Sequence, residues 1–207
     1  MAKKGTISIK EFRHALADHG RWLQGDPAGQ QMNLLEKDLS HLDLLNANLA
    51  KAVLKEVDLS GADLSFADLS AANLTGAVLS GTSLRDANLE GTVLQDTVLK
   101  DANLAKSTLK FTNLRNADLH GAVLVEALFH YATLIEADLS SADLTRVRFD
   151  RTDLSRAVLT GAILTGAVFF NANLRGADLR ASNHKQAVFI RSILTDTILY
   201  EKSDLFK

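Results

Sequence analysis

Between Leu34 and Leu199 every fifth residue is Leu, save Phe129, Phe149, Phe169, Phe189 and His184, and no insertion or deletion breaks the period. Two positions before each of these central residues, from Ala47 to Thr197, stands only Ala, Ser, Thr or Val. A period of five suits neither a helix, where successive leucines would rotate by about 140°, nor a strand, where they would alternate faces. It suits a chain that turns a corner every five residues. Each side of a square coil then sends one large and one small residue inward, and four pentads close a turn. Stacked coils pair like parallel strands, about 4.8 Å apart. A short fixed period of this kind is the mark of a solenoid.

The flanks follow other rules. Ser8 and Glu11 have capping-box spacing, and Ile9, Phe12, Leu16 and Leu23 recur near helical spacing, which predicts a helix over about residues 8–23. Gly25-Asp26-Pro27 ends it with turn chemistry. A solenoid end exposes apolar side chains and unpaired strand edges, so this helix, with Trp22, is expected to cap the first coil. Its amphipathic pattern also admits docking to a partner. From 32 to 46 the register holds, but Met32, Lys37 and Leu42 fill the small position, which marks a transition coil.

Every glycine beyond residue 29 falls two positions after a central residue, and Asn46, Asn116, Asn171, Asp86, Asp96, Asp101 and Asp196 share that slot. These types tolerate left-handed or turn backbone, so the slot lies at or beside the corner. The phenylalanines Phe129, Phe149, Phe169 and Phe189 are 20 residues apart and therefore stack as a core column on one side of four successive coils. The coil must be locally wider there. His184 either sits buried against a backbone partner or pushes its coil out of shape.

Asp or Asn is frequent one position before the central residue, as in Ala62-Asp63-Leu64, Ala87-Asn88-Leu89 and Ala137-Asp138-Leu139. This tandem A(D/N)LXX pattern resembles the pentapeptide-repeat family. The resemblance implies an all-β fold, a right-handed quadrilateral β-helix of about eight coils, here with a short N-terminal α-helical cap. The expected organisation is an N-terminal segment over 1–31, the β-helix over 32–201 and a tail over 202–207, where Leu205 and Phe206 could fold over the open end. Family membership is nearly silent on function, which resides on surfaces grafted onto a fold.

Composition narrows the classes. There is no cysteine, which removes disulfides, thiol catalysis and thiolate metal sites. No run of about 20 apolar residues could span a bilayer, and Met1-Ala2-Lys3-Lys4-Gly5 lacks the apolar core of a signal peptide. A cytoplasmic protein with no membrane role is expected. Net charge is −2, but residues 34–100 hold 5 basic and 10 acidic side chains while 146–191 hold 8 basic and 3 acidic. Arginines 146, 156, 175, 180 and 191 fall on all sides of the rod, so no continuous basic groove and no direct nucleic-acid binding are expected.

Catalytic chemistry finds little footing. The six histidines (14, 19, 41, 120, 130, 184) form no H-E-x-x-H set. Gly161 and Gly166 mimic a phosphate loop, but Ala167-Val168 follow in place of Lys-Ser/Thr. A coil filled by its own Leu-sized and Ala-sized side chains leaves no internal ligand pocket. No catalytic, cofactor or metal residue is assigned, and the chain is read as a non-enzyme.

One side stands out. In the later coils, the side that carries the phenylalanine column turns Lys110, Phe111, His130, Tyr131, Arg148, Arg151, Phe170, Ile190 and Arg191 outward, whereas the other sides show mostly small polar residues and single charges. Aromatics with arginine on a rigid surface are what binding hot spots are made of. The expected function is a rigid scaffold that binds a protein partner through one face or end. The resemblance supplies an alternative, since some pentapeptide-repeat proteins mimic duplex DNA and occupy DNA gyrase. This chain is less acidic than that branch, lacks its cysteines and carries no loop insertion. The same branch dimerises through its C-terminal end, and here Ile193, Ile198 and Leu199 leave an end able to pair with a second copy.

Overall fold

The computed structural model describes residues 5–199. Its elements in chain order are β1 (Gly5–Thr6), α1 (Ile9–Leu23), β2 (Lys37–Asp38), β3 (Leu128–His130), β4 (Arg148–Asp150), β5 (Val168–Phe170), a 3₁₀ turn η1 (His184–Gln186) and β6 (Val188–Ile190). Between and around them runs a right-handed β-helix. Single-residue parallel bridges link each side to the one 20 residues on, from Asn33↔Val53 to Asp178↔Ile198. Four pentads therefore make one coil.

Backbone bonding explains the pentad. The amide of a central residue donates forward, as Leu104 N to the Val123 carbonyl at 2.7 Å, and the following coil donates back, as Val123 N to the Ala102 carbonyl at 2.9 Å. Between sides, Ala122 N donates to the Leu119 carbonyl at 3.0 Å, which closes a turn around residues 120 and 121. The third residue of such a turn has positive φ, the type II arrangement. Positive φ recurs at every such corner from Glu36 to Asp196 with one omission, Gln186. Glycine is favoured there, yet Phe66, Phe111, Tyr131 and several arginines adopt it too.

The Asp/Asn slot has a local cause. Asp63 Oδ1 accepts the Ser65 amide at 2.9 Å, Asp138 Oδ1 accepts that of Ser140 at 2.8 Å and Asn113 Oδ1 that of Arg115 at 3.1 Å. Each side chain thus satisfies the amide that enters the corner. The small inward position is equally determined. Thr82, Thr92 and Ser107 are fully buried and donate their hydroxyls to the carbonyls of Leu59, Leu69 and Leu104.

The phenylalanine coils differ as their size requires. Their side extends into three-residue strands, and β3-β4-β5-β6 form a parallel sheet in register. Inside it, successive rings stack at centroid distances of 5.1, 4.8 and 4.7 Å. Phe129, Phe149 and Phe169 are fully buried, whereas Phe189, in the last described coil, is only partly so. His184 distorts its coil: it opens η1, the corner at Gln186 loses its positive φ, and Asn183 Oδ1 takes over as acceptor for the Leu164 amide. The side chain is half-buried and does not fill the core as a leucine would.

The N-terminal cap carries both halves of the expected capping box: Ser8 Oγ accepts the Glu11 amide at 3.2 Å, and Glu11 Oε2 accepts the Ser8 amide at 2.9 Å. Phe12 and His19, and not Trp22, are the buried plug; Trp22 is half-buried and stacks on His19 at 5.6 Å. Ahead of the helix, β1 pairs with β2 in parallel, Gly5↔Lys37 and Thr6↔Asp38, so Lys37 serves a ladder that reaches back beyond the first coil. Leu205 and Phe206 lie outside the described residues.

Candidate functional site

The face with the phenylalanine column behind it separates into three groups. At the corner, Phe111 and Tyr131 stand one coil apart and stack at 5.3 Å with 7° between their planes. Arg151, one coil further, lies over Tyr131 with its guanidinium carbon 5.2 Å from the ring centroid, and Nη1 donates to the Tyr131 hydroxyl. Phe111 is 56% exposed and Tyr131 47%. Their left-handed backbone, φ 58°, 55° and 54°, projects all three side chains off the rod at the same height on successive coils.

Beside this stack lies a charged trio. Asp150 Oδ2 is 2.7 Å from His130 Nε2 and accepts from Arg148 Nη2 at 2.8 Å. Asp150 is buried, and among the described residues neither its Oδ1 nor His130 Nδ1 has a hydrogen-bond partner. Asp150 was not among the residues singled out from sequence. The available signal was its position 20 residues after His130 and two after Arg148, which places one carboxylate between two cations.

The third group is apolar and lies toward the C-terminal end. Phe170 is half-buried, pairs in register with Asp150 and Ile190, and leaves Ile190 42% and Val188 48% exposed. Arg191 sits at the last corner of the same column and makes no ion pair. Lys110 is half-buried and likewise unpaired. The nine expected residues therefore share one side, but as a corner stack, a neutralised trio and an apolar edge.

The remaining surface is knit by ion pairs. Arg146 meets Glu126 at 3.0 Å, Arg156 meets Glu136 at 2.7 Å, and Arg180 grips Asp178 through Nε and Nη2. That hydrogen bonding from Arg180 holds the Asp178 carboxyl below its ordinary value. Among the described residues no cluster of three His, Asp or Glu side chains could hold a metal, and no described helix is long and apolar enough to cross a membrane. A groove of about 520 Å³ does lie outside the coils, between Ile9, Phe12 and Leu16 of α1 and Leu42–Asn48 of the first coil.

Matches to the model described as "Pentapeptide repeats", in eight copies, run through residues 38–201. The chain belongs to the pentapeptide-repeat family. Among solved structures, a trypsin-treated variant of QnrB1, a plasmid-mediated fluoroquinolone resistance protein, superposes with a TM-score of 0.68 at 18% identity. That alignment covers 84% of this chain and 92% of QnrB1. Full-length QnrB1 gives 0.67 at 19% identity, covering 79% and 87%. HetL, a pentapeptide-repeat protein involved in heterocyst differentiation regulation in the cyanobacterium Nostoc, is 30% identical over 93% of this chain and 94% of its own, with a TM-score of 0.32. A search of curated proteins finds no match. At such identities the QnrB1 likeness concerns the fold.

Proposed function

We propose that this pentapeptide-repeat protein is a rigid, non-enzymatic scaffold that binds a protein partner through the corner stack and its neighbours. The observation that carries the reading is the Phe111–Tyr131–Arg151 column, two exposed rings and a guanidinium held in line by successive coils. A solenoid orders these groups before binding, so little side-chain entropy is lost on association. Aromatic and arginine anchors then contribute a disproportionate share of interface energy. In the same reading the C-terminal coil, with Ile193 52% and Ile198 43% exposed, is where a second copy would pair.

The test is affinity capture from the native host with wild type and with Tyr131→Ala/Arg151→Ala. Both side chains are exposed, so the double variant should melt almost as wild type does. It should lose a specifically retained protein, at a cost of about 2 kcal/mol or more in affinity. Equal retention by both proteins removes this face as a site. The alternative, occupancy of DNA gyrase by DNA mimicry, is checked by a supercoiling assay. It gains little from the early carboxylates, because Asp58, Asp63 and Asp68 already accept their own backbone amides.

A further inference from the structure

The corner stack has two ends, and only one is covered. Arg151 lies over Tyr131, whereas the preceding residues in the Phe111 column are Gly91 and Ala71. At Gly121, Gly166 and Gly176 an added Cβ would meet the side chain of the previous coil, Asp101, Arg146 and Arg156 respectively. Corner side chains therefore lean toward the C-terminal end. At Gly91 an added Cβ would meet nothing within 4 Å, since Ala71 is too short to reach and Phe111 leans away onto Tyr131. Two coils without a projecting corner side chain leave a notch about 10 Å tall behind the free face of Phe111.

A flat group stacked on that ring needs about 3.5–4.0 Å. Glu90, beside Gly91, sets its charge. It is exposed and forms no ion pair, and Lys110, one coil on in the same column, does not pair with it. A neutral ring entering the notch would take water from this carboxylate without replacing it. A cation would complement it, in a half of the rod where residues 34–100 hold 10 acidic and 5 basic side chains.

We infer that the notch receives an arginine of the protein partner, its guanidinium flat against Phe111 and paired with Glu90. Arginine suits the site better than lysine because its planar, weakly hydrated head stacks on rings while it bonds carboxylates. The bound stack would read arginine, Phe111, Tyr131, Arg151, the same contact made at both ends. This names the chemistry of the partner and rests on the proposed scaffold function.

The probes are a capped Gly-Gly-Arg-Gly-Gly peptide and its lysine counterpart, titrated into the full chain while Phe111 ring protons are followed by NMR. The arginine peptide should give saturable shifts and bind about threefold more tightly than the lysine peptide, as an exposed cation–π contact supplies. Phe111→Leu should abolish that preference, and Glu90→Gln should weaken binding of both peptides. Ala71→Arg should block the notch from within, without lowering the melting temperature, because Ala71 already has the backbone of Lys51 in the same column, φ 55° against 61°. Equal binding of the two peptides, or binding indifferent to both Phe111→Leu and Ala71→Arg, overturns the inference. If these fail while Tyr131→Ala/Arg151→Ala still loses its partner, the notch alone is withdrawn.

Discussion

His19 on α1 reaches the Ala50 carbonyl with Nε2 at 2.9 Å, across the join between cap and solenoid. Its other nitrogen, Nδ1, accepts the Met32 amide at 3.0 Å, so the proton resides on Nε2 and the ring is neutral. Burial pushes the imidazole below its ordinary value of 6.5, and the Ala50 bond opposes this only in part.

The first prediction follows from that depressed value. Above about pH 6.5 the ring is neutral in both folded and unfolded chains, and the cap bonds contribute in full. As pH falls toward the lower folded value, only the unfolded chain takes up the proton, so stability is lost. The wild-type melting temperature should drop between pH 7.5 and 5.5, and His19→Asn should be less stable at pH 7.5 but flatter across this window. Asp63 and Asp178, whose carboxyls are held low, titrate below it. Parallel curves for the two proteins would remove His19 as the cause.

A second prediction concerns the return of the chain past the helix. Gln30 N donates to the Asp18 carbonyl at 3.1 Å, which draws residues 29 and 30 against the last turns of α1. A Cβ on Gly29 would overlap the backbone nitrogen of Trp22, and backbone cannot rotate aside as a side chain can. Gly29→Ala should therefore loosen the cap, with a loss of helical circular dichroism and a lower melting temperature. Gly20→Ala, where an added Cβ meets nothing within 4 Å, is the control.

The core gives the third. Leu104 is fully buried, and Leu104→Asp should unfold the protein, because a buried unpaired carboxylate costs several kcal/mol. Ser80→Asp, at an outward position, should be near neutral by denaturant titration. In the phenylalanine column, Phe149 lies between rings at 5.1 and 4.8 Å, and Phe149→Ala should cost about 3–5 kcal/mol through cavity formation.

What the sequence made legible and what it hid divide along one physical line. Features repeated in every coil could be read from the pattern: the inward Leu, the small residue two before it, the corner slot and the stacked phenylalanines. Each is imposed by the same local geometry many times over, so chance substitutions average out. Features that depend on one contact between coils could not. His19 looks like any helical histidine until Met32 and Ala50 are brought to it, and Asp150 gains its two cations only when residues 20 apart are stacked. Trp22 looked like the plug because it is large, but helix phase gave that place to Phe12 and His19. At His184 the pattern fixed where the coil would be disturbed and left open how, since a histidine too polar for the core can either bury with a partner or, as here, leave it.

The last prediction separates the two functional readings without disturbing the fold. Asp58, Asp63 and Asp68 each use Oδ1 to hold the amide of the residue two further on. Asn73, Asn88 and Asn103 do the same work with no charge. The triple change Asp58→Asn, Asp63→Asn, Asp68→Asn should therefore keep the turns and the melting temperature while removing three negative charges. If the protein acts by replacing DNA phosphates on gyrase, its inhibition should weaken in the triple variant and the salt dependence of binding should become shallower. If it binds a protein through the corner stack, the triple variant should retain that partner with unchanged affinity, while Tyr131→Ala/Arg151→Ala loses it. Loss of the partner in the triple variant together with retention in the aromatic one would move the site from the stack to the acidic coils.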